Sequence, residues 1–470
     1  MSGRSDDMMR VEVDSLGTVQ VPRDRLWGAQ TQRALENFPQ GEGMPVPIVR
    51  AMCRIKGAAA RVNARLGLVP QAVATLVDRA ARGGVGGHLD EHFPLSIWQS
   101  GSGTQTNMNV NEVLANRAAQ LAGEEPGRKT PVHPNDHVNR CQSTNDVFPA
   151  AMHMATADAL ASGVIPTAEA LSAELAARAE AWSGIVKIGR THLMDAVPIT
   201  LGQEFSGYAA QVDAATEGLR RALTPLWELP LGGTAVGTGL NAHPEFARLV
   251  IDELARETGY PFIPARNRFA LIAAHDALGG VSAAMRTLAC ALNKIANDIR
   301  WLASGPACGI GELRLPANEP GSSIMPGKVN PSQCEVLCMA CMQVVGLDAV
   351  VAAACAQGNF ELNVCKPLIA FDVLTQCRIL AESTASFTAR AVVGLEPDEG
   401  RIAAHVSRSL MLVTALAPVV GYDVAARVAK FAQERHVSLR EACVALDVLS
   451  GEEFDAIVRP LDMVGPLPGD

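Results

Sequence analysis

Apolar residues along most of the chain recur at three- and four-residue steps. Leu288, Leu292, Ile295, Ile299 and Leu302 make one such stripe, which Ser304-Gly305-Pro306 ends, and this period places them on one face of an α-helix. The same spacing predicts helices over about 47–66, 71–83 and 108–122, and long ones over 147–162, 166–183, 201–224, 276–303, 332–357 and 366–393. Shorter helical patterns at 408–417, 422–432 and 438–447 follow Gly394-Leu395-Glu396-Pro397 and are separated by Pro418, Gly421 and Ser438. Only the amino-terminal stretch alternates. Val11, Val13, Val19 and Val21 flank Ser15-Leu16-Gly17, the pattern of one short hairpin, after which the chain is expected to be helical throughout.

The pattern predicts an all-α fold organised around a bundle of long helices. A polar stretch from Gly123 to Asn145, carrying Pro126, Pro131 and Pro134, reads as a boundary with functional loops. The expected division is a mostly helical domain over 1–140, the long-helix bundle over 141–395 and a small helical domain over 396–470. Many positions off the apolar stripes are alanine rather than charged, so one copy cannot bury all the apolar surface its helices present, and an oligomer is expected.

Composition narrows the class further. Of 470 residues, 48% are hydrophobic and 19% charged, which excludes a disordered chain, and only 4% are aromatic, which disfavours sandwiches and barrels. Forty basic against 49 acidic residues leave a net charge of −9, so no nucleic-acid partner is expected. No membrane partner is expected either, because no uncharged run reaches the ~20 residues that span a bilayer; Asp348 interrupts the nearest candidate, Val344 to Ala356. Arg4, Asp6, Asp7 and Arg10 leave no apolar core for a secretory signal, and eleven cysteines without a small-scaffold spacing read as reduced thiols of a cytoplasmic protein.

Two further spacings resemble metal sites but are not expected to hold a metal. Cys334, Cys338 and Cys341 have the spacing of an iron–sulfur loop, but they lie in a strong helical pattern and read as core. His133 and His137 have zinc-like spacing, but Pro134 between them argues against one helical face.

Four segments concentrate chemistry. Gly321-Ser322-Ser323-Ile324-Met325-Pro326-Gly327-Lys328-Val329-Asn330-Pro331 must be a loop, since two glycines and two prolines forbid a regular element, and it gathers hydroxyls, an ammonium and an amide. Glu335 follows at the start of a helix. Gly189 to Asp195 carries His192, a residue that alone is more often structural than catalytic. Ser100 to Asn107, with Asn109 and Asn111, and Cys141 to Asp146 cluster small hydroxyls and amides at expected helix starts, where free N–H groups either attract anions or are simply capped. Gly232 to Gly239 lacks the ending of a phosphate loop and reads as a tight turn.

The loop GSSIMPGKVNP resembles the signature of the fumarase/aspartase superfamily of lyases. Trp27 to Arg33, Ser100 to Asn111, His133-Pro134-Asn135-Asp136, Thr191-His192 and Gly232 to Gly239 appear in that superfamily's order, so the resemblance covers nearly the whole chain. Lys328 to Glu335, Asn359 to Val364 with Lys366-Pro367, and Phe454 with Met463-Val464-Gly465 are closer to the class II fumarases than to the aspartases. Arg140 to Asp146 stands about equally close to both, and Thr130-Pro131 stands where fumarases carry basic residues.

The resemblance implies reversible hydration of fumarate to malate by anti addition, without metal or cofactor, with aspartate ammonia-lyase as the alternative and a silent crystallin-like relative as a third reading. It assigns Ser322 as the base that takes the C3 proton and His192, with Glu335, to the leaving hydroxyl. Lys328 and Asn330 are implied to stabilise the developing charge. Ser102, Gly103, Thr104, Ser143, Thr144, Asn145, Thr191, Ser323 and Val329 would join Lys328 and Asn330 in holding a small dicarboxylate, and His133, Pro134, Asn135 and Asp136 would form an accessory anion site. In the superfamily the active site is shared by three chains of a homotetramer.

Overall fold

The computed structural model describes residues 8–39 and 41–466. Strands β1 (Met9–Asp14) and β2 (Gly17–Pro22) form the expected amino-terminal hairpin, paired from Met9 opposite Pro22 to Asp14 opposite Gly17. Helices follow in the order α1 (Ala29–Asn37), α2 (Val46–Arg65), α3 (Gln71–Val85), α4 (Thr104–Leu121), α5 (Thr144–Ala159), α6 (Ile165–Ala181), α7 (Leu201–Leu223), α8 (Phe246–Thr258), α9 (Arg268–Ala273), α10 (Asp276–Leu302), α11 (Ser332–Cys355) and α12 (Lys366–Phe387). The carboxy-terminal part adds α13 (Glu399–Arg408), α14 (Ala417–Val420), α15 (Tyr422–Arg435), α16 (Leu439–Ala445) and α17 (Gly451–Ile457). The fold is all-α, and every long helix expected from the apolar period is present.

The chain does not become wholly helical after residue 22. A second hairpin, β3 (Val186–Thr191) with β4 (Met194–Thr200), interrupts the bundle helices; its alternation of Val186 with Ile188 and Val197 with Ile199 was overshadowed by the helical patterns on either side. The helix expected at 408–417 is instead a run of 3₁₀ turns over Leu410–Ala415, which Ser409 caps by accepting from the Met411 N–H. Helices α1, α8, α9, α13, α14 and α17 lie outside the ranges that the apolar period predicts. They are short or strongly charged, and their apolar stripes are too brief to register as a period.

The described residues fall into two compact units. The first comprises residues up to 166 with 217–287 and 342–381, and the second comprises 167–216, 288–341 and 382 onward. In the first, Asp348 accepts from the Ser282 hydroxyl at 2.6 Å and from Arg286 at 2.8 Å, and Gln376 donates to Ser282 at 3.0 Å and to the Val344 carbonyl at 3.1 Å. These bonds lock α10, α11 and α12 in register and satisfy the one acid within the apolar part of α11. That helix is long and apolar enough to cross a membrane by length and composition alone, but Asp348 inside it is buried and bound.

In the second unit the stripe from Leu288 to Leu302 is buried along its length. Phe205 packs edge-on against Trp182 at 4.8 Å and Tyr208 at 5.2 Å, and the Tyr208 hydroxyl donates to Asp298 at 3.1 Å. The carboxy-terminal helices close on a core of their own, built on Leu412, Leu416, Val428, Leu439 and Phe454. All eleven cysteines are free, and burial pushes the thiols of Cys53, Cys334, Cys341 and Cys377 up to about 12.

Truncating Leu292, whose side chain is wholly buried, should cost about 2–5 kcal/mol. Urea denaturation of the Leu292→Ala protein followed by circular dichroism checks this; an unchanged midpoint would contradict a close-packed stripe.

Candidate active site

The loop over 321–331 folds on itself rather than trailing free. A Cβ on Gly321 would sit 2.1 Å from the Lys328 carbonyl oxygen, so only glycine lets the two ends of the loop meet. The Asn330 side chain donates to the Gly321 carbonyl and closes that contact. Inside the loop the Ser322 hydroxyl oxygen accepts from the backbone N–H groups of Ile324, at 3.2 Å, and Met325, at 3.0 Å. Two N–H dipoles aimed at one oxygen favour negative charge on it, the property a serine needs in order to act as a base. Ser323, Lys328 and Val329 are exposed on the same loop, and Glu335 is exposed in the first turn of α11.

His192 occupies the tip of the β3–β4 hairpin. Thr191 pairs with Met194, leaving His192 and Leu193 as a two-residue turn with φ of 57° and 63°. Such turns favour Asn-Gly, and two side-chain-bearing residues held left-handed cost roughly 1–2 kcal/mol each. Leu193 and Met194 beside it are 74% and 69% exposed, so nothing at the tip compensates that strain.

A buried acid anchors the strand that leads into this turn. Glu312, with no exposed surface, receives both arms of Arg190 at 2.6 and 3.0 Å, the ammonium of buried Lys187 at 3.3 Å and the ring nitrogen of His405 at 2.9 Å. Burial alone would raise the Glu312 pKa, but the Arg190 bonds, the Lys187 charge and His405 outweigh it and hold the carboxyl at about 2. None of Glu312, Lys187, Arg190 and His405 stood out in the sequence, where a buried acid looks like any surface acid.

The other two segments lie in the first unit. The hydroxyls of Ser100, Ser102 and Thr104 form a chain with spacings of 3.0 and 2.6 Å at the start of α4, where Gly103 has a φ of 78°. Ser143 caps α5: its hydroxyl accepts from the Asn145 N–H at 3.2 Å, while Asp146 accepts from the Ser143 N–H at 2.9 Å. The capping explanation therefore holds for Ser143, whereas at α4 the cap residue Gly103 has no side chain to offer and Gln99 instead accepts from the Thr106 N–H at 3.0 Å. Asp146 also accepts from Gly232 at 3.0 Å and Thr234 at 2.9 Å, and Asn145 donates to the Ala235 carbonyl at 2.8 Å. The 232–239 segment is thus a structural turn fastened to the start of α5.

Two buried lysines flank this assembly, and neither was assigned a role from sequence. Lys56 donates to Asn139 at 2.7 Å, and Asn139 also receives Asn107 at 3.3 Å. Burial pushes both Lys56 and Lys366 down to about 7, with the Asp146 charge opposing, and pushes Asp146 up to about 6 against the N–H groups of Ser143, Thr234 and Gly232 and the Lys56 charge.

Around His133 the proline acts against the expectation from its place between two histidines. Pro134 does not break helicity but begins a single helical turn over Pro134–Val138, where its missing N–H is no loss. His133 accepts from the N–H groups of Asn135 at 3.2 Å and Asp136 at 3.1 Å, and His137 accepts from the His133 N–H at 2.9 Å. Both rings thus act as local caps, and among the described residues no group of three or more His, Cys, Asp or Glu side chains could hold a metal ion. The adjoining cavity of about 30 Å³ is lined by Lys129, His133 and Asn135, but also by Glu12, Asp14 and Glu112. Among the described residues no hydrogen bond joins Ser322, His192 and Glu335 to one another; they stand on three separate elements, Ser322 partly exposed and His192 and Glu335 exposed.

A helical fold with a polar serine loop, a histidine hairpin and two hydroxyl-rich helix starts defines a lyase of the fumarase type. Residues 17–346 match the Lyase family, and 412–465 match the fumarase C carboxy-terminal family. The class II fumarate hydratase of Thermosynechococcus vestitus is 58% identical over 457 residues, covering 97% of this chain and 98% of that protein. That of Pseudomonas syringae pv. tomato is 54% identical over 458 residues, covering 97% and 99%. The crystal structure of class II fumarase from Schistosoma mansoni superposes with a TM-score of 0.94 at 44% identity, covering 97% of this chain and 99% of that one. A fumarate lyase:delta crystallin from Brucella melitensis bound to cobalt superposes with a TM-score of 0.93 at 40% identity, covering 98% and 100%. The chain belongs to the class II fumarate hydratase family of lyases, and no finding favours the aspartase alternative.

The Glu312 carboxyl is held below its ordinary 4.5 in the folded state, so its contribution to stability is fully present above about pH 4.5 and is lost as pH falls toward 2. Glu312→Gln should lower the thermal midpoint at pH 7, and its deficit relative to wild type should shrink over that acid window. A deficit of constant size from pH 7 to 3 would show that the ionised carboxylate is not what holds the hairpin.

Proposed function

We propose that this protein interconverts fumarate and (S)-malate. The observation that carries the reading is the Ser322 hydroxyl oxygen with the Ile324 and Met325 N–H groups donating to it, in a chain whose full-length relatives are class II fumarate hydratases. Removing a proton from carbon beside a carboxylate generates a doubly charged aci-carboxylate, and catalysis requires donors already in place where that charge appears.

In this reading Ser322, as its alkoxide, takes the C3 proton of malate and becomes a hydroxyl. Lys328, Asn330 and the loop N–H groups stabilise the carboxylate that gains charge. His192, backed by Glu335, donates a proton to the C2 oxygen on the opposite face, so the carbon–oxygen bond breaks with loss of water and fumarate remains. Ser102, Gly103, Thr104, Ser143, Thr144, Asn145, Thr191, Ser323 and Val329 hold the two carboxylates before and after the step. His133 to Asp136 are proposed as an accessory anion site.

The working form in this reading is a homotetramer that brings Ser322, His192 and the hydroxyl segments together from different chains. Helix α11 supports it: Val336, Met339, Met342, Val345 and Val350 are all at least 40% exposed along a helix whose opposite face is core, and a continuous apolar face of that length needs cover. Eleven free cysteines suit a reducing cytoplasm.

The test is loss of the fumarate ultraviolet absorbance on adding purified protein, with and without ammonium. Hydration without ammonium is expected, and ammonium-dependent loss yielding aspartate would refute the assignment. Ser322→Ala should abolish turnover while leaving the oligomer intact on gel filtration. His192→Asn should slow turnover by about two orders of magnitude, the range of a general acid–base group; near-normal rates would remove His192 from the chemistry.

A further inference from the structure

The least expected side chain in the first unit is Lys366. It has no exposed surface, and its ammonium has no hydrogen-bond partner among the described residues. A desolvated ammonium without a partner opposes folding, so local stability gives no reason for this residue, and such rule-breaking positions tend to be functional. Its surroundings are specific. The Lys366 N–H donates to the Gly101 carbonyl at 3.0 Å, and the backbone of Val364 lies so close to Gly101 that a Cβ there would fall 1.4 Å from the Val364 oxygen. The first residue of α12 is therefore seated on the segment that carries the Ser100, Ser102 and Thr104 hydroxyls. Its charge also interacts with that of Asp146, which fastens Ser143 and the 232–234 turn to the start of α5. Lys366 thus links the two segments proposed to receive the carboxylates.

We propose that Lys366 is a positioning residue for the C4 dicarboxylate: without touching it, its buried positive charge favours a dianion at the 102–104 and 143–145 segments. The proposal rests on the fumarase reading given above. In a dry interior such a charge acts over longer distances than on the surface, because little water screens it. In its ammonium form it also gives an acidic protein, with net charge −9, a local field of the sign that an anionic substrate requires.

The experiment compares wild type with Lys366→Met, which keeps most of the length of the side chain and removes the charge. Wild-type hydration of fumarate is measured first, and its absence would sink the fumarase reading itself. In the variant, KM for fumarate and the inhibition constant of succinate, a dicarboxylate that cannot react, should both rise about tenfold, with kcat within about threefold, the scale of one charge at an effective dielectric of about 20. The melting temperature should stay level or rise, an outcome that a purely structural lysine would not produce. Lys366→Arg should recover most of the succinate affinity. Unchanged KM and succinate binding in a folded variant would overturn the proposal. Failure of both Lys366→Met and Lys366→Gln to fold would overturn it as well, since the residue would then be structural.

Discussion

A single carboxylate with no contact with water, that of Glu312, sets the geometry of the histidine arm. Buried charge is costly unless every donor around it is placed well, and here a lysine and an arginine from β3 and a histidine from α13 converge on one acid. Arg190 stands two residues before His192, so this convergence anchors the strand that leads directly into the turn of two left-handed, side-chain-bearing residues. Loss of any one partner would leave charges buried and uncompensated. The cluster therefore behaves as a unit that ties β3 to α13.

The first unit solves a similar problem by different means. Asp146 is satisfied almost entirely by backbone N–H groups, so it joins the start of α5 to a glycine-rich turn without a guanidinium. Lys56 reaches the same region through Asn139. The two units thus show two ways of stabilising a buried acid, one by cations and one by dipoles.

Much of the fold was legible because long amphipathic helices announce themselves by period: Leu288 to Leu302 is the clearest case. The β3–β4 hairpin was not, since six- and seven-residue strands between long helical patterns carry little periodic signal of their own. Of the candidate site, the Ser322 loop was readable from its glycines and prolines, which exclude any regular element, and from the family resemblance. The supporting groups were hidden for a physical reason: burial, which turns Glu312, Lys187 and Lys366 from ordinary charged residues into structural or electrostatic devices, is a property of the folded chain. The Pro134 error has the same origin, because proline opposes a helix in its interior and favours one at its first turn, and only the fold says which applies.

The hairpin also constrains how the protein can change. Its register includes an irregularity between Ile188 and Arg190 and a loop of just two residues, so inserting or deleting one residue would invert the strand faces and carry Lys187 or Arg190 away from Glu312. The tip is fixed in space by residue count rather than by the identity of what sits on it. Position 192 is in that sense a mount whose occupant could be exchanged while its height and direction stay constant, so new chemistry could arise there by point substitution far more readily than by any change in length.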